Sequence, residues 1–193
     1  MLGVVLCGGQ SIRMGSDKGL LQLHASTWAQ TAVDKLAMVH LSYVLSVNAQ
    51  QQEAYENYFD KKLLVQDDDT LDLKGPLCGL LSVHLQYPQE DILVLACDMP
   101  LMEAALLKEL IGFYKDNKPA ACLYINDGAP EPLCAIYAAT ALQYIYQLYQ
   151  SKKLLKHSMK FMLEQLQVAV LPLPADKKNC FRNFNAHAAL NGL

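Results

Sequence analysis

Residues 2–19 read LGVVLCGGQSIRMGSDKG. The run Leu2–Cys7 is apolar and valine-rich, and the pair Gly8-Gly9 cuts it off, which is how a buried strand reads. The loop after it carries little apolar material. Arg13, Asp17 and Lys18 share that loop with further glycines. Gly8 and Gly9 let the backbone adopt positive φ and come close to a ligand. Successive amides in such a turn form an anion-binding concavity. Arg13 adds a planar fork for phosphate oxygens and Lys18 a compact point charge. Together they suit a polyphosphate. Two familiar patterns do not fit: Lys18 is followed by Gly19 rather than Ser or Thr, and the two glycines are adjacent rather than spaced as G-x-G.

Along the rest of the chain, apolar runs alternate with helical spacing. Strands are predicted at 2–7, 42–48, 62–66, 91–98, 120–125, 132–137 and 168–173. Helices are predicted at 27–38, 49–59, 77–87, 101–116, 139–150 and 153–166, with a short terminal one over 185–192 capped by Asn185. The alternation predicts one α/β domain over residues 1–193, a parallel sheet with helices on both faces. The wholly apolar ILVLAC (92–97) fits a strand covered on both sides. In such sheets ligands gather at the carboxyl ends of the strands. Those ends deliver the opening loop, then Ser46 and Asn48, then Asp67, Asp68 and Asp69, then Asp98.

The 193 residues, 52% hydrophobic and 18% charged, suffice for a packed core and argue against disorder. A net charge of -3 and no long basic run make nucleic acid a poor partner. No stretch approaches the apolar length of a membrane span, and the first apolar run is preceded by no basic segment, so neither a membrane protein nor a secretory leader is expected. Six scattered cysteines without a C-x-x-C pair read as reduced thiols of a cytoplasmic protein. The five histidines show no metal-ligand spacing, and Trp28 reads as core.

LCGGQSIRMGSDKG resembles the signature of the molybdenum cofactor guanylyltransferase family, whose usual form is L-A-G-G-x-S-x-R-M-G-x-D-K. Cys7 stands where Ala is usual. VLSVN (44–48), DD followed by GPLCGLLS (75–82), CDMP (97–100), EPLCAIY (131–137) and NFN (183–185) extend the resemblance over nearly the whole chain. It implies a Rossmann-like three-layer α/β/α sandwich of the nucleotide-diphospho-sugar transferase type with a mostly parallel sheet. It further implies transfer of GMP from GTP to the terminal phosphate of molybdopterin or molybdenum cofactor, with release of pyrophosphate. Related branches use CTP for the pterin or another nucleotide for a sugar phosphate. A non-catalytic nucleotide-binding module that assists cofactor insertion is the alternative of another class. Molybdoenzymes or insertion chaperones are the further partners that the resemblance suggests.

Carried over residue by residue, Lys18 contacts phosphate, Arg13 the β- or γ-phosphate, and Asp98 holds Mg²⁺. Asp98 has a second reading as a helix N-cap. Leu6, Cys7, Gly8 and Gly9 match the backbone that reads the nucleotide. Either Ser46 or Asn48 matches the polar residue ending the second strand. Asp68 matches the aspartate after the third, reading guanine or holding the ribose. Asp17 orients the loop or merely keeps it soluble. Asn183 and Asn185 match an N-x-N-T-P motif on the pterin side, though Ala186 and His187 replace Thr and Pro. Lys152, Lys156 and Lys160 are spaced as a helical stripe, either steering a phosphate or simply solvated.

Overall fold

The computed structural model describes residues 1–8, 17–23 and 25–184. In chain order the elements are β1 (Leu2–Leu6), β2 (Gln22–Leu23), β3 (Ser26–Thr27), α1 (Trp28–Met38), β4 (Tyr43–Val47), α2 (Gln52–Glu56), β5 (Leu64–Gln66), α3 (Pro76–Gln86), β6 (Ile92–Ala96), α4 (Ala104–Asn117), β7 (Ala121–Asn126), β8 (Ala129–Tyr137), α5 (Ala139–Gln150), α6 (Met159–Glu164) and β9 (Val168–Pro172). Among the described residues, 3-10 turns join them at Lys18–Leu20, Lys61–Leu63 and Ala175–Phe181.

Seven strands form one sheet in the order β5-β4-β1-β6-β8-β7-β9, while β2 and β3 make a separate two-residue ladder. All neighbours run parallel except where β8 pairs antiparallel with β6 and β7. The reversal comes from Asp127-Gly128, both at positive φ (49° and 78°), the backbone of a tight hairpin turn. Residues 126–131, expected as a loop, are therefore mostly strand.

Alternation along the strands feeds two cores. Val5, Leu45, Leu93 and Leu95 point to one face, where they meet α1, α2 and α4. Val4, Val44, Ile92 and Val94 point to the other, against α3, α5 and α6. The chain is a mostly parallel sheet between two helical layers, as expected. From β1 it steps outward to β4 and β5, then returns to the far side of β1 at β6. The switch point between β1 and β6 thus sets Cys7-Gly8 beside Asp98, where an open parallel sheet leaves a crevice.

Helix lengths differ from expectation for local reasons. The helix expected over 49–59 is only Gln52–Glu56. The Asn48 side chain accepts from the amides of Gln50 (3.0 Å) and Gln51 (3.1 Å), turning the chain first, and Asn57 bonds back to Glu53 O and closes the end. The helix expected over 153–166 is Met159–Glu164, opened by Ser158, whose hydroxyl accepts from Phe161 N (3.2 Å). Lys152 sits at φ 58°, and the amides of Lys153 and Leu154 return to Leu148 O. Lys152, Lys156 and Lys160 consequently share no helix. The terminal helix expected over 185–192 lies outside the described residues.

Candidate active site

Gly8 lies two residues past the end of β1, and Lys18 follows at the far end of the opening loop. Its Nζ lies 3.4 Å from Asp98 Oδ2, with the two side chains 23% and 18% exposed. Asp98 has left β6 but stays pinned. Cys97 N donates to Leu6 O (3.2 Å), and Phe184 N donates to Asp98 O (3.1 Å). Phe184 packs edge-on against the buried Trp28, with ring centroids 6.2 Å apart. A segment far along the chain is thereby held at the strand end, which sets the exposed Asn183 next to it. Lys35 braces the turn after Asp98 from below, donating to Met99 O (3.3 Å) and Pro100 O (2.6 Å). Burial lowers its ammonium to about 8.

Asp98 Oδ1 is buried and has no hydrogen-bond partner among the described residues. A carboxylate with one oxygen beside an ammonium and the other uncommitted is a fitting ligand for a hard cation that takes its remaining ligands from phosphates and water. No cluster of three or more metal-binding side chains exists among the described residues. Such an ion would have to share its coordination with substrate.

A cleft of about 520 Å³ opens between Gly8 and the carboxyl ends of β4 and β5. Gly8, Asn48, Asp67, Lys74, Gly75 and Cys78 are among its walls. Asp67 N donates to Val47 O (2.8 Å), continuing the β4–β5 ladder and aiming the side chain inward. Ser46, fully buried, donates to Asp67 Oδ1 (3.2 Å). Burial raises the Asp67 carboxyl, and the Ser46 hydroxyl pulls it partly back. Gly79 keeps this corner open: a Cβ there would overlap Ser46 Oγ and lie 3.3 Å from Asp67 Oδ1. At the rim, Gly75 adopts φ 73° ahead of Pro76, which starts α3.

Several expected site residues meet here: Gly8, Lys18 and Asp98 at the switch point, Asn48 on the cleft wall, and Ser46 behind it. Leu6 and Cys7 are buried at the end of β1, where Cys7 N donates to Ser46 O (2.9 Å). Asp68 does not line the cleft. Its Oδ1 accepts from Thr70 N (2.9 Å) and Thr70 Oγ1 (2.7 Å), which lowers the carboxyl. The inward carboxylate is its neighbour Asp67. Gly9, Arg13 and Asn185 lie outside the described residues. Lys35, Lys74, Gln51 and Tyr55 escaped the sequence reading. Gln51 and Tyr55 are one helical turn apart, a spacing that marks a shared face but not a buried polar one.

A doubly wound sheet with a lysine–aspartate pair at its switch point and a cleft at the neighbouring strand ends is the frame of a nucleotide-handling α/β protein, and the relatives make that class a nucleotidyltransferase. The chain belongs to the MobA-like NTP transferase domain family, whose model matches residues 3–169. A protein of Methanothermobacter thermautotrophicus named "Probable molybdenum cofactor guanylyltransferase" is 32% identical over 186 residues, which cover 94% of this chain and 92% of that one. The "Molybdenum cofactor biosynthesis bifunctional protein" of Synechocystis is 32% identical over 146 residues, 74% of this chain; the match spans 40% of that longer protein. Among solved structures, molybdopterin-guanine dinucleotide biosynthesis protein A from Archaeoglobus fulgidus shares the fold. Its TM-score is 0.79 at 22% identity, over 98% of this chain and 95% of that one.

Proposed function

We propose that this protein, acting as one nucleotidyltransferase domain, transfers GMP from GTP to the terminal phosphate of molybdopterin or molybdenum cofactor. An acceptor phosphate oxygen attacks the α-phosphorus. The bond from the α-phosphorus to the bridging oxygen breaks, and pyrophosphate leaves with the electron pair. No side chain needs to become covalently bonded. The demand is to hold two polyanions together and to neutralise charge on the transferring and leaving groups.

The observation that carries this reading is the Lys18–Asp98 pair, 3.4 Å apart at the switch point and part-exposed. Lys18 neutralises phosphate charge, and Arg13 reaches the outer phosphates. Asp98, through its uncommitted oxygen, would hold Mg²⁺. When bound, that ion supplies Lewis acidity to the phosphate oxygens. Gly8 and Gly9, with Leu6 and Cys7 before them, bring the backbone close to the nucleotide. The base lies in the cleft, where Asp67, buttressed by Ser46, takes the inner position that resemblance alone gives to Asp68. A carboxylate there accepts from the ring N–H and amino group of guanine. Asn48 lines the same wall. Asn183, with Asn185 after it, faces the acceptor. The names of the relatives support this substrate pair.

Among the described residues no helix is long and apolar enough to cross a membrane. All six cysteines are buried free thiols, in keeping with work in a reducing cytoplasm. Pyrophosphate release with GTP and with CTP, each with molybdopterin as acceptor, tests the reading. GTP is expected to be the better donor by kcat/KM. Lys18→Ala and Asp98→Ala are expected to lose nearly all turnover while folded. A preference for CTP would overturn the donor assignment, and retained turnover in both variants would place the chemistry elsewhere.

A further inference from the structure

The opening loop leaves the sheet at Cys7 and rejoins described structure at Asp17, immediately before Lys18. One buried side chain bridges these two points. Gln51 Nε2 donates to Cys7 O (3.0 Å) and also to Asp17 Oδ2. Its Oε1 accepts from Asn48 N (2.9 Å), so the same amide is fixed to the end of β4. The other oxygen of Asp17 accepts from Gly19 N (2.9 Å) and from Tyr55 Oη (2.8 Å).

Both carboxylate oxygens of Asp17 are therefore engaged, and the donors named are all neutral. Tyr55 is fully buried and stacks on Phe59, with centroids 6.0 Å apart. Burial, nearby thiols and Asp17 itself all push its phenol strongly upward, so it remains a donor. Gly19 must be glycine, because a Cβ would overlap Tyr55 Oη and sit 3.4 Å from Asp17 Oδ1.

We infer that Asp17, Gln51 and Tyr55 form a latch that closes the base of the opening loop and positions Lys18 over Asp98. The inference rests on the proposed nucleotidyl transfer. Asp17 sits beside the phosphate site but has its oxygens turned to this network, which leaves Asp98 as the carboxylate for the metal and phosphates. Gln51 and Tyr55 touch no reacting atom; they are positioning residues acting through Asp17. A cation that counters developing charge works best when it is already in place. A latch of buried hydrogen bonds to a charged acceptor supplies that order, since such bonds are stronger than neutral ones.

The test uses the full chain with Tyr55→Phe, Gln51→Met and Lys18→Ala, alone and combined. Tyr124→Phe is the control: its buried hydroxyl donates to Glu109 (2.8 Å), away from the site. Tyr55→Phe and Gln51→Met are each expected to lower kcat by about tenfold or more, as loss of one hydrogen bond to a charged group allows. Tyr124→Phe is expected to lower the melting temperature without changing kcat. The discriminating readout is equilibrium binding of a fluorescent GTP analogue. With Lys18 already removed, Tyr55→Phe is expected to weaken binding no further, because the latch works through that lysine.

Full kcat in Tyr55→Phe and Gln51→Met alongside an impaired Lys18→Ala would overturn the latch and leave the proposed transfer standing. An undiminished, additive loss of binding on top of Lys18→Ala would also overturn it. Wild-type turnover in Lys18→Ala would overturn the transfer reading itself.

Discussion

Gly19→Ala tests the placement of Lys18 with one methyl group. The added Cβ would fall far inside van der Waals contact distance of Tyr55 Oη, 3.2 Å from Tyr55 Cζ and 3.4 Å from Asp17 Oδ1. Tyr55 has nowhere to retreat, since it is fully buried against Phe59. The 3-10 turn at Lys18–Leu20 must move instead, because its lysine is part-exposed and carries less packing. Overpacking of this kind costs about 1–3 kcal/mol. Typical stabilities of about 5–15 kcal/mol leave the variant folded, and for a chain of this size roughly 2–4 °C of melting temperature is lost per kcal/mol. The effect on turnover is larger. A displacement of about 1 Å in a positioning group costs on the order of 100-fold. Steady-state pyrophosphate release, run beside thermal melts, separates the two. Gly112→Ala serves as control: Gly112 lies on α4 with open space around it, so the substitution is expected to add up to about 1 kcal/mol of stability and leave kcat alone. Wild-type kcat in Gly19→Ala would refute the claim that the placement of Lys18 matters.

The remaining predictions concern the cleft and its supports. Asp67→Asn is expected to weaken GTP binding more than Asp68→Asn, as read by titration calorimetry. A carboxyl raised by burial holds its proton more tightly folded than unfolded, so its stability contribution is full in acid and lost as pH rises through the folded value. Asp67→Asn should therefore melt higher than wild type at neutral pH, with the gap narrowing as pH falls. Gly79→Ala is expected to break the Ser46–Asp67 contact and raise the KM for GTP, despite the better helix propensity of alanine. Lys35 binds its proton less tightly folded than unfolded, so wild-type stability should rise as pH climbs from about 8 toward the ordinary lysine value of 10.5, a rise that Lys35→Met should lack.

The strands were legible where both faces are covered. ILVLA (92–96) and the valines of β1 have no polar alternative, and their order along the chain was enough for a parallel sheet with helices on both sides. The antiparallel β8 was harder to see, because Pro130 and Pro132 sit inside a strand that tolerates them at an irregularity in its pairing. Lys18 and Asp98 were legible as a pair because each follows a strand end. Which of three consecutive aspartates faces inward was not. Direction alternates residue by residue, and it takes the ladder bond from Asp67 N to Val47 O and the buried Ser46 hydroxyl on its carboxylate to assign the inward place to Asp67. Gln51 stayed hidden for a related reason. Within AQQQE (49–53) three glutamines look alike, and burial of one depends on the Asn48 turn that delays α2.

The most direct measurement is a crystal structure with a non-hydrolysable GTP analogue and Mg²⁺. The triphosphate is predicted to lie against Lys18, the ion on Asp98, and the base in the cleft between Asn48 and Asp67. A nucleotide bound with its phosphates away from Lys18 and Asp98, or with the cleft empty at saturation, would contradict the assignment of this strand-end pair as the phosphate and metal site.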